Sequence, residues 1–155
     1  MEHALTYDEA QALIGAPDPA LDAAVTKVSA LEFPQLKAKL VEEKGWSVEQ
    51  CEEVEDLYRK FLALLIRYPD RKLSPTGPVD DFWHAHILDT RAYARDCDVL
   101  FGFFYHHYPY FGTRGPEDRA DLEVAFEWTI ERFIVHFGID PSEGDSKARG
   151  CRPQK

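Results

Sequence analysis

The sequence predicts an all-α fold. Three observations carry that expectation: apolar residues recur at three- and four-residue spacing, no stretch alternates β-branched and polar residues as a half-buried strand would, and helix start and stop signals bracket the periodic segments. Of 155 residues, 45% are hydrophobic and 13% aromatic, enough for one domain with its own core and too few for two independent ones. The expected architecture is a single compact bundle of about six helices over residues 1–140, with an aromatic, His-rich loop between the last two long helices and a disordered tail over 141–155.

Thr6 followed by Glu9 is a capping-box signature, and Ala10, Leu13 and Ile14 give a short first helix a face that Gly15 ends. Asp18-Pro19 then supplies a cap and a proline at the first helical position, ahead of Leu21, Val25, Val28 and Leu31 at helical spacing. Phe33-Pro34 interrupts this run, and a third segment with Leu36, Leu40 and Val41 ends at Gly45. Ser47 with Gln50 opens the best-defined helix, whose Val48, Cys51, Val54, Tyr58, Phe61, Leu62 and Leu65 trace one face until Tyr68-Pro69-Asp70. After a turn-rich connector, Pro78 starts a helix expected to run unbroken to about Phe101, with Asp80 and Asp81 in its first turn, where the helix dipole favours negative charge. The loop from Gly102 to Gly112 is too apolar to lie loosely in water. A last long helix begins near Pro116, buries Leu122, Phe126, Thr129, Ile130, Phe133 and Phe137, and stops at Gly138.

Charge and cysteine usage narrow the function classes. With 18 Lys and Arg against 28 Asp and Glu, the net charge of −10 argues against nucleic acid or an anionic membrane as a partner. No window reaches the roughly 20 apolar residues of a membrane span, and Met1-Glu2-His3-Ala4 lacks a signal-peptide character, so a cytoplasmic protein is expected. Cys51, Cys97 and Cys151 form no C-x-x-C pair and read as reduced thiols, Cys51 and Cys97 as packing residues. Phosphate loops, H-E-x-x-H runs and G-x-S-x-G elbows are missing from the sequence.

Chemistry concentrates in the second half. On a wheel of about 100° per residue, Phe82, His86, Thr90, Tyr93, Cys97 and Leu100 share one sector and Asp80 and His84 fall opposite. His84 and His86 therefore cannot bind one metal from a regular helix. Asp80 and His84, at i and i+4, can offer a carboxylate oxygen and an imidazole nitrogen to the same ion, with His106 or His107 of the aromatic loop as a further donor. Such a site suits Zn(II), Fe(II) or Mn(II) and can activate water or oxygen. His86 reads either as a core histidine bonded to Thr90 or a tyrosine hydroxyl or, if the centre is catalytic, as a group that with Tyr93 or Asp96 handles protons or orients the ligands from behind; it would be a further ligand only on an irregular helix.

The ordered string Asp80-Asp81-Phe82-Trp83-His84-Ala85-His86-Ile87-Leu88-Asp89-Thr90, then Tyr93, Asp96-Cys97, Phe101-Gly102 and His106-His107-x-Pro109, resembles the glycine-rich domain-containing protein-like family, in its short bacterial-type version. The resemblance implies an α-helical domain and hands over no reaction. The leading expectation is thus a His-rich, divalent-metal-binding domain; if catalytic, its site would use metal-activated water or oxygen on a small molecule or peptide. The alternative is a non-catalytic protein-interaction domain whose histidines hydrogen-bond across the core and whose aromatic loop docks a protein partner.

Overall fold

The computed structural model describes residues 6–142, and among these every regular element is a helix: α1 (Tyr7–Leu13), α2 (Pro19–Ser29), α3 (Pro34–Lys44), α4 (Val48–Arg67), α5 (Gly77–Leu88), α6 (Thr90–Phe101) and α7 (Pro116–Phe137). No described helix is long and apolar enough to cross a membrane. His3, Cys151 and the tail from residue 143 onward lie outside the described residues. Pro141 and Ser142 are buried, and the Ser142 amide and hydroxyl both donate to Asp140 Oδ1, at 2.8 and 2.6 Å.

Seven helices stand where about six were expected, because the helix predicted from Pro78 to Phe101 is two. Asp89 stops α5 and caps α6, its carboxylate accepting from the Ala92 amide at 3.4 Å while its backbone (φ −82°, ψ 75°) leaves the helical region. The apolar period runs on through this corner, which hides it from a periodicity reading. Thr90, predicted on the buried face, is exposed, whereas Phe82, His86, Tyr93, Cys97 and Leu100 are buried as predicted.

The described residues gather into two units. One consists of Pro19–Pro69 with Pro78–His106 and holds α2 to α6. In it α2 packs on α4 and α6, and α3 packs on α4. The α4 helix starts on the Ser47 cap, whose hydroxyl accepts from the Gln50 amide at 3.0 Å. Its Cys51, Val54, Tyr58, Phe61, Leu62 and Leu65 are buried as the stripe requires, while Val48 stays exposed. Glu55 ties the neighbours together: it bonds Lys37 of α3 at 2.7 Å and Arg59 at 2.7 Å, and Arg59 reaches on to the Val28 carbonyl of α2 at 2.8 Å.

The other unit takes in Met1–Asp18, Asp70–Gly77 and His107–Lys155. The capping box at Thr6 forms in full, with Thr6 N donating to Glu9 Oε2 at 2.8 Å and Glu9 N donating to Thr6 Oγ1 at 3.2 Å, and α1 packs on α7. Buried Leu122, Phe126, Thr129 and Phe133 line α7, and the connector docks on them when the Ser74 amide donates to Thr129 Oγ1 at 3.0 Å. Gly112 is fixed by close approach: at φ 90°, a Cβ there would stand 2.5 Å from Leu122 Cδ2.

Candidate metal centre

The i, i+4 spacing on α5 sets two candidate donors on one helix face. Asp80 and His84 lie side by side, Oδ2 to Nε2 3.4 Å, with the Asp80 side chain 25% and the His84 side chain 50% exposed. One ligand atom each from Asp80, His84 and His107 lies within 4.8 Å of the others. Of the two loop histidines the structure thus brings His107 to the pair; the His106 side chain is exposed and its ring leans on Phe104, with centroids 4.8 Å apart.

Two imidazoles and a carboxylate form a borderline-hard donor set that could hold a divalent metal. Three protein donors also leave room in a four- to six-coordinate shell for water or another ligand.

His86 sits on the far side of α5, since two residues turn the helix by about 200°. It is 2% exposed. Its Nε2 lies 2.8 Å from Asp96 Oδ2 and its Nδ1 2.7 Å from the Tyr58 hydroxyl. A carboxylate only accepts, so Nε2 carries the proton and donates, and Nδ1 accepts from Tyr58. Both nitrogens are therefore engaged, and neither is free for a metal. Burial holds the imidazole below its ordinary pKa, against the opposing pull of the Asp96 hydrogen bond, which keeps the ring neutral. The same burial pushes the Tyr58 hydroxyl well up. Around the ring stand Phe33 and Tyr93, edge-to-face at centroid distances of 5.0 and 4.9 Å.

Tyr93 extends this network. Its oxygen accepts from Trp83 Nε1 at 3.0 Å, and its hydroxyl donates to the Tyr105 carbonyl at 2.5 Å, pinning the start of the aromatic loop to α5 and α6. Cys97 lies in the same core, where burial raises its thiol pKa. The expected partner of His86 was Thr90 or a tyrosine; the structure supplies Tyr58, and Thr90 is exposed. Tyr58 had been read only as part of the α4 stripe, although a phenol at the centre of such a stripe needs a buried partner for its hydroxyl.

A family model matches residues 24–142, from α2 to beyond α7. The chain belongs to the UCP032817-like family. This corrects the resemblance to the glycine-rich domain-containing protein-like family, which rested on the string from Asp80 to Pro109 alone. Short strings of helix-facing His, Trp and Tyr meet the packing needs of any aromatic core, whereas the UCP032817-like match takes in the helices on either side. No curated protein and no solved structure matches the chain.

Proposed function

We propose that this UCP032817-like protein binds one divalent transition metal, Fe(II), Zn(II) or Mn(II), through Asp80, His84 and His107, and uses it on a small molecule or peptide. The observation that carries the reading is the convergence of three donor atoms within 4.8 Å, two of them from a helix face and one from an aromatic-anchored loop. When bound, such an ion supplies Lewis acidity and an acidified water. Asp80 contributes charge and the two histidines act as neutral donors. Behind them, His86, Asp96 and Tyr58 hold α4, α5 and α6 in register, and Tyr93 holds the loop that brings in His107. Because those polar atoms bond one another, proton transfer by His86, Tyr93 or Asp96 would require one of these hydrogen bonds to open.

Elemental analysis of tag-free protein, incubated anaerobically with each metal and desalted, tests the proposal. About one metal per chain is expected in the wild type and in His106→Ala, with loss in His84→Ala/His107→Ala at unchanged helical circular dichroism. A metal-free wild type, or a double variant that keeps the ion, would sink it and favour the protein-interaction reading.

A further inference from the structure

We propose that Tyr58 is a redox-active tyrosine. It gives one electron to an outer-sphere oxidant of the oxygen-radical class and passes its phenolic proton to His86 in the same step, leaving a neutral phenoxyl radical among α4, α5 and α6. Nothing in this depends on the metal centre, and the residues involved all belong to the unit that holds α2 to α6.

A phenol that loses an electron becomes a strong acid, so it is oxidised readily only where a base already holds its hydrogen. Tyr58 meets this condition. Its hydroxyl donates to His86 Nδ1 at 2.7 Å, and His86 Nε2 donates in turn to Asp96 Oδ2 at 2.8 Å. Unlike transfer to a ligand at the metal, this proton shift runs within one existing hydrogen bond and opens none. Tyr93, in the same core, supplies the contrast: its hydroxyl donates to the Tyr105 carbonyl at 2.5 Å, an acceptor far too weakly basic to keep a proton.

Burial decides which oxidised form the core can hold. Tyr58, His86 and Asp96 are 0%, 2% and 8% exposed, in surroundings where a charge without a partner is costly. Burial pushes the Tyr58 hydroxyl well above its ordinary range, which closes a route through the tyrosinate. Before oxidation the trio carries the negative charge of the Asp96 carboxylate; afterwards that carboxylate faces an imidazolium across 2.8 Å and the phenoxyl is neutral. Removing the electron therefore cancels a buried net charge instead of creating one. Phe33 and Phe82, with centroids 5.8 and 5.0 Å from the Tyr58 ring, cover it with side chains harder to oxidise than a phenol.

The test oxidises the full chain, with chelator present, by a photogenerated ruthenium(III) polypyridyl complex, and follows the tyrosyl radical by electron paramagnetic resonance and visible absorption. A long-lived neutral radical is expected in the wild type and in Tyr93→Phe, decaying more slowly in D2O than in H2O, and it should be lost in Tyr58→Phe at unchanged helical circular dichroism. Asp96→Asn keeps an acceptor for His86 Nε2 but removes the charge opposite the imidazolium, and should shorten the lifetime at least about tenfold. A purely structural hydrogen bond would leave that lifetime unchanged. An equally long-lived radical in Tyr58→Phe, an undiminished lifetime in Asp96→Asn, or a decay indifferent to D2O would overturn the proposal. Should Tyr58→Phe fail to fold, the Asp96→Asn and D2O comparisons decide it.

Discussion

His84 and His86 are the same side chain two positions apart on one helix, and they live in opposite worlds. His86 is 2% exposed and spends both ring nitrogens on protein partners. The His84 side chain is 50% exposed and lies beside the Asp80 carboxylate of its own helix, within reach of a loop histidine. The rotation of the helix makes the difference, by aiming one imidazole at α4 and α6 and the other outward. A ring whose nitrogens are both saturated by protein serves as a fastener. A half-exposed ring beside a carboxylate can serve as a donor.

The sharpest way to break this comparison is to remove the buried ring. His86→Ala leaves the Tyr58 hydroxyl and the Asp96 carboxylate without their partner and opens a cavity against Phe33 and Tyr93. Losing one member of a buried polar pair, with the cavity added, should destabilise the protein by about 3–5 kcal/mol. Chemical denaturation measures this as a lower midpoint at unchanged slope. A change below about 1 kcal/mol would mean that the core does not depend on the ring, and the contrast with His84 would collapse.

Tyr93→Phe is subtler, because the aromatic ring and its packing remain. Only the hydroxyl goes, stranding the Trp83 indole N–H and the Tyr105 carbonyl. A loss of about 1–3 kcal/mol is expected. Since the Tyr105 contact anchors the loop that leads to His107, metal affinity should fall together with stability in this variant. Unchanged affinity alongside reduced stability would show that His107 is held by other contacts.

What could be read from sequence follows the range of the forces involved. The Thr6 capping box, the Ser47 cap and the α4 stripe are set within a few residues, and, Val48 apart, each appears in the structure as the spacing demands. Asp80 with His84 is equally local. The corner at Asp89 is local too, yet a continuous apolar period masked it, and only the side chain's preference for capping pointed the other way. Tyr58 and His86 are 28 residues apart, and which of several core polar groups meets His86 depends on how α4 and α5 lie together, which periodicity does not encode. The choice between His106 and His107 turns on loop backbone angles. There a pair of adjacent histidines carries no signal beyond the rule that neighbours point in different directions.

The smallest effect on stability should come from the residue with the largest effect on chemistry. His84→Ala removes a half-exposed ring from a helix surface, where an i, i+4 pair with Asp80 contributes a few tenths of a kcal/mol. In metal-free protein its denaturation midpoint should therefore stay near the wild-type value. In metal-saturated protein the two should separate, because an ion that binds only the folded state stabilises it by mass action, by about 2.7 kcal/mol when the free ion is at a hundred times its dissociation constant. Paired melts with metal and with chelator thus measure function and fold on one axis. If His84→Ala proves as destabilising as His86→Ala in the presence of chelator, His84 is a second fastener, and the division of labour along α5 is wrong.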